Sequence, residues 1–146
     1  MYLKVKGGPF SNNLFREIET ITDRATLFCQ SFLYEKDKGL VTFDIVRYPI
    51  KKKRKLLGSI TPYSRDMNIK VKSKITIKNV MSSKITDNLS PADKQEITLL
   101  FGLTIEDNTI LISSAEESRG KQLFSAILEI SGLDLEINDL REESRT

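Results

Sequence analysis

Histidine is absent from this 146-residue chain and cysteine occurs once, as Cys29. That excludes His-containing catalytic triads, imidazole bases and metal centres built on His or clustered Cys. Cys29 lies in the apolar run Leu27-Phe28-Cys29-Gln30-Ser31-Phe32 with no basic neighbour to activate it, and reads as a structural thiol. Carboxylates are the remaining route to a metal, since a hard cation needs only oxygen ligands. Glu106 with Asp107, and Glu116 with Glu117, are the candidate pairs. Neighbouring strand residues point to opposite faces, so the first pair converges only through a turn. The second pair is explained by a helix N-terminus, where acids meet the positive end of the dipole. Ser118-Arg119-Gly120-Lys121 matches the S-x-x-K spacing of some acyl-transfer nucleophiles but lacks the companion motifs. No phosphate-cradling glycine pattern occurs, and no Asp or Glu stands two positions before a lysine. The chain reads as non-catalytic, with no cofactor and no metal.

Its basic residues carry more information. Between Ile45 and Thr86 twelve Lys or Arg face one acid, Asp66. The first 44 residues balance six bases against six acids, and residues 87–146 set five bases against thirteen acids. A net charge of +3 therefore hides strong polarisation along the sequence. Lys70, Lys72, Lys74 and Lys78 share one phase of a strictly alternating run, on which residues at i and i+2 lie only about 7 Å apart. Lys51, Lys52, Lys53, Arg54 and Lys55 form a basic loop before it, with Arg47 and Arg65 nearby. Tyr48 and Tyr63 flank that loop and suit stacking on bases. These thirteen residues predict a surface for a polyanion, most simply nucleic acid. An acidic protein partner, self-association of complementary basic and acidic surfaces, and an anionic membrane surface are the alternative readings. Residues 51–55 also fit a nuclear-localisation tract, a pattern that any basic loop produces easily.

The positioning elements follow from periodicity. Tyr2–Lys6 reads as a strand; Leu14, Phe15, Ile18 and Ile21 predict a helix over about 12–23. Residues 25–34 and 40–48 form a hairpin around Glu35-Lys36-Asp37-Lys38-Gly39, and Ile69–Lys78 is a strand with Val71, Ile75 and Ile77 on its apolar face. A helical turn is expected to start at Ser90-Pro91. Ile97, Leu99, Phe101, Leu103 and Ile105 alternate as a further strand, which turns at Asp107-Asn108 into Thr109–Ile112. Ser114-Ala115-Glu116-Glu117 has capping-box spacing ahead of Leu123, Phe124, Ile127, Leu128 and Ile130, which predicts a helix over about 115–131 ended by Gly132. Leu133–Ile137 adds an edge strand before a polar tail at 139–146. The expected fold is one α+β domain over 1–138: a mostly antiparallel sheet with two main helices packed on one face. A small antiparallel β-barrel capped by the C-terminal helix is the alternative. No apolar run reaches the ~20 residues of a membrane span and the N-terminus lacks a signal-peptide core, so a cytoplasmic location is expected.

Overall fold

The computed structural model describes residues 2–6, 12–49, 55–56, 59–60, 69–91 and 95–144. Its elements begin with β1 (Tyr2–Lys6), α1 (Asn12–Thr22), β2 (Thr26–Phe28), β3 (Leu33–Glu35) and β4 (Leu40–Arg47). Next come β5 (Lys55–Leu56), β6 (Ser59–Ile60), β7 (Ile69–Ile77) and β8 (Val80–Asp87). They continue with β9 (Glu96–Thr98), β10 (Thr104–Glu106), β11 (Thr109–Ser113), β12 (Glu117–Ser118) and β13 (Lys121–Gln122), and end with β14 (Phe124–Ile130) and β15 (Asp134–Ser144).

Every strand pairing is antiparallel, in two principal sheets. One has the order β1-β15-β7-β4-β2-β9, with β3 beside the start of β4; the other is β10-β11-β14-β8. A single two-stranded ribbon passes between them. β7 bends into β8 at Asn79, whose φ of +59° places it in the left-handed region, while β14 bends into β15 over residues 131–133. The two bends are bonded to each other: Lys78 N–H donates to Asp134 O at 2.8 Å and Ser131 N–H to Asn79 O at 2.9 Å. On the far side Leu99 bridges to Ser114, supported by Ala115 N–H to Thr98 O at 2.8 Å. Hydrogen bonding therefore runs from β4 through the ribbon, β11 and β9 back to β2 and β4. It encloses one core that includes Phe43, Leu27, Ile75, Ile97, Ile110 and Leu128, all buried. Phe32 stacks on Phe43 at 5.5 Å and meets Phe124 edge-on at 5.6 Å, so the turn after β2 is pinned to both sheets.

α1 covers this core with Ile18, flanked by half-buried Leu14, Phe15 and Ile21. Its last residue, Thr22, donates to Ile18 O at 2.8 Å and accepts the Leu103 N–H at 2.9 Å, tying the helix to the β9–β10 connection. Among the described residues no helix is long and apolar enough to cross a membrane.

The expected two-helix α+β sheet is not what forms. The protein is mostly antiparallel β, and the one α-helix among the described residues lies near the N-terminus; the segment expected to form the C-terminal cap of the alternative barrel is not helical either. The segment expected as a helix over 115–131 is the β12–β13 hairpin followed by β14. Leu123, Phe124, Ile127 and Leu128 satisfy helical spacing, but Phe124, Ala126, Leu128 and Ile130 satisfy period two equally well, and these four are buried. Central placement between β11 and β8 gives β14 partners on both edges, which decides the choice; Ile127 is left 39% exposed. The supposed capping residues hold strands together instead. Ser114 Oγ accepts the Phe124 N–H at 3.2 Å and donates to Glu116 O at 3.0 Å, while the Glu116 carboxylate accepts the Thr98 N–H at 3.0 Å. Arg119 and Gly120, both at positive φ, make the tight turn of β12–β13.

Phe101, on the apolar phase of the strand expected over 97–105, is 68% exposed. The chain leaves strand geometry at Leu100 and turns through Phe101 and Gly102, both at positive φ, so Phe101 is expelled while Leu103 is buried. β15 is not an edge strand but lies between β1 and β7, and it runs through position 139, where the polar tail was expected to begin. Residues 92–94, including most of the turn expected after Ser90, lie outside the described residues.

Candidate nucleic-acid interface

β7 sits inside its sheet between β15 and β4, and its alternation divides the strand cleanly. Val71, Ser73, Ile75 and Ile77 are buried; Lys72 and Lys74 are exposed and Lys70 is half-buried. Pairing sets what surrounds each lysine. Lys74 stands between Asp44 and Asn138, Lys72 between Val46 and Arg141, and Lys70 beside Glu143. Acidic positions thus border the ladder at both ends but not at Lys72. Among the described residues none of these three lysines is engaged in an ion pair.

Beside the ladder lies a concavity of about 390 Å³, lined by Thr26, Phe28, Val46, Tyr48, Lys70, Lys72 and Glu96. Four adjacent strands build it. Val46 on β4 pairs with Lys72 on one side and Thr26 on the other, and Phe28 on β2 pairs with Glu96 on β9. The lysines therefore form one wall and Glu96 the opposite wall, three strand spacings across and two residues along from Lys72, or roughly 16 Å away. Thr26 and Val46 make the floor between them. Phe28 and Tyr48 stand two residues to either side of that floor along their strands, so each can present a ring to a planar group lying on it.

Arg47, one residue before Tyr48, is on the opposite face. It is 9% exposed and donates through Nε to Ser73 Oγ and Asp139 Oδ1, each at 3.3 Å, and through Nη2 to Asp139 Oδ2 at 2.7 Å. The Ser73 hydroxyl also donates to Asp139 Oδ1, at 2.6 Å. Burial pushes the Asp139 carboxyl up, but the hydrogen bonds it accepts, that from Arg47 foremost, together with the Arg47 charge hold the group below its ordinary value. Arg47 is thus used to join β4, β7 and β15, not to meet a ligand. Lys78 is exposed at the ribbon bend, away from the concavity. Lys55 belongs to β5, and Lys51, Lys52, Lys53, Arg54, Tyr63 and Arg65 lie outside the described residues.

Thr26, Phe28, Val46 and Glu96 were not foreseen as site residues. A signal existed for Phe28: Ala25 and Leu27 take the buried phase of this segment, which turns Thr26 and Phe28 outward. Glu96, immediately before buried Ile97, is outward by the same logic.

Glu106 ends β10 whereas Asp107 occupies the turn at φ +51°, and the Glu116 carboxylate is engaged by backbone. Ser118 and Lys121 oppose each other across the β12–β13 hairpin. The Cys29 thiol is pushed up to about 11, first by burial and then by the charges of Asp87 and Glu116, which is the reverse of activation. No family model, curated protein or solved structure matches this chain.

Proposed function

We propose that this protein is a non-catalytic nucleic-acid-binding domain that takes single strands across the face of β7, β4 and β2. The observation that carries the reading is the concavity that joins Lys70 and Lys72 to Phe28 and Tyr48. Cations spaced along a strand match successive phosphates, and aromatic rings beside them offer stacking surfaces to unpaired bases. A duplex keeps its bases stacked internally and leaves the rings unused, which favours single strands.

The Arg47–Asp139 pair takes one residue from the basic block and one from the acidic block of the same chain, and β15 lies along β7 over most of its length. Opposite charge is therefore partly satisfied inside one molecule, which weakens the head-to-tail alternative.

If Lys70, Lys72 and Lys74 each contact a phosphate, binding to a single strand should weaken with salt at a log–log slope of about −2. Reversing Lys70 and Lys72 to Glu should reduce that slope by at least about 1.4 and weaken all sequences alike, because phosphate contacts carry no base information. Anisotropy titrations at several salt concentrations measure both effects. Absence of binding at low salt, or a slope unchanged by the double reversal, overturns the proposal.

A further inference from the structure

We infer that the concavity selects an unpaired guanine, with Glu96 as the residue that determines the preference. This rests on the nucleic-acid reading and adds to it the identity of the base. The cavity is polarised across its width, with Lys70 and Lys72 on the β7 side and the Glu96 carboxylate on the β9 side. A nucleotide is polarised in the same sense only if the far edge of its base donates hydrogen bonds. With the phosphate against the lysines, the base lies over Thr26 and Val46 between Phe28 and Tyr48, and its Watson–Crick edge meets Glu96.

An ionised carboxylate only accepts hydrogen bonds. Guanine presents two adjacent donors on that edge, N1–H and the N2 amino group, which two carboxylate oxygens accept side by side as charge-assisted bonds. Adenine and cytosine place an acceptor next to their single amino group, and uracil flanks its one N–H with two carbonyls; each sets an acceptor against a carboxylate oxygen. Glu96 is exposed, so it reaches the edge of a bound base without first being released from the core.

The test compares a short single-stranded uridine oligomer with the same oligomer carrying one central guanine, adenine or cytosine, by anisotropy at low salt. The wild type should bind the guanine oligomer at least about tenfold more tightly than the others, the value of one charge-assisted bond at the low end of its range. Glu96→Gln, which sets an amide donor against a guanine donor, should bring all four oligomers to within about twofold of one another. Equal wild-type binding of all four overturns the guanine inference and leaves the proposed function standing. A guanine preference that survives Glu96→Gln overturns the assignment to Glu96. No binding to any oligomer overturns the proposed function itself.

Discussion

Replacing Arg47 separates structural from ligand-binding use of a basic residue. In Arg47→Met the side-chain volume is nearly kept, but Asp139 loses a bidentate guanidinium in a largely buried setting. Breaking one side of a buried pair costs about 3–5 kcal/mol, and because Ser73 still donates to Asp139 Oδ1 the lower end applies, about 3 kcal/mol. With a urea m-value of ~1–3 kcal/mol per molar, the unfolding midpoint should fall by roughly 1–3 M. Adding Asp139→Leu should recover most of the loss, since an apolar pair of similar volume is often neutral against a buried ion pair. The pH dependence has a defined sign. A carboxyl held below its unfolded value contributes stability that is present above about pH 4 and is lost as pH falls through the lower folded value. In Arg47→Met burial remains and the guanidinium is gone, so Asp139 takes up its proton at a higher pH than in wild type, and the gap between variant and wild type should narrow as pH falls toward and below about 4. Urea titrations at neutral and acid pH measure this, and oligomer binding by the folded variant completes the comparison. A loss under about 1 kcal/mol, a gap independent of pH, or weakened nucleic-acid binding in folded protein would refute the reasoning.

Two further outcomes follow from local geometry. Gly102 packs against the end of α1 at φ +67°, where an added Cβ would lie 2.6 Å from Glu19 O and 2.7 Å from Asp23 N, whereas Gly120 at φ +76° faces open space. Gly102→Ala should therefore cost about 2–4 kcal/mol and Gly120→Ala only about 1 kcal/mol, and equal losses on thermal unfolding would contradict that account. Cys29, with its thiol raised to about 11, should alkylate about a hundredfold more slowly at pH 8 than an ordinary thiol and accelerate as pH rises toward that value; labelling at the rate of a free cysteine would show the site to be open.

Where one periodicity had no competitor, local pattern was enough. β1, α1 and the strand of the lysine ladder are legible because each buries an apolar phase that only one element type can produce, and the turn at Asp107-Asn108 because polar turn residues separate two alternating apolar runs. Charge segregation is likewise legible without a fold, since it depends on composition alone, but segregation in sequence is not segregation in space. β15, from the acidic block, lies beside β7, and Arg47 is turned inward to Asp139. For Phe124–Ile130 two periods fit the same residues, and only β11 and β8, brought in from elsewhere in the chain, could select the strand. The same limit governs the candidate site. Adjacent strand residues occupy opposite faces, so Arg47 goes in and Tyr48 out, Leu27 in and Phe28 out, once the core side is known. Glu96 and Lys72 are twenty-four positions apart and share one concavity because β2 and β4 stand between their strands. Spacing along the chain determined which residues could bind; hydrogen bonding between distant strands decided which of them face the same space.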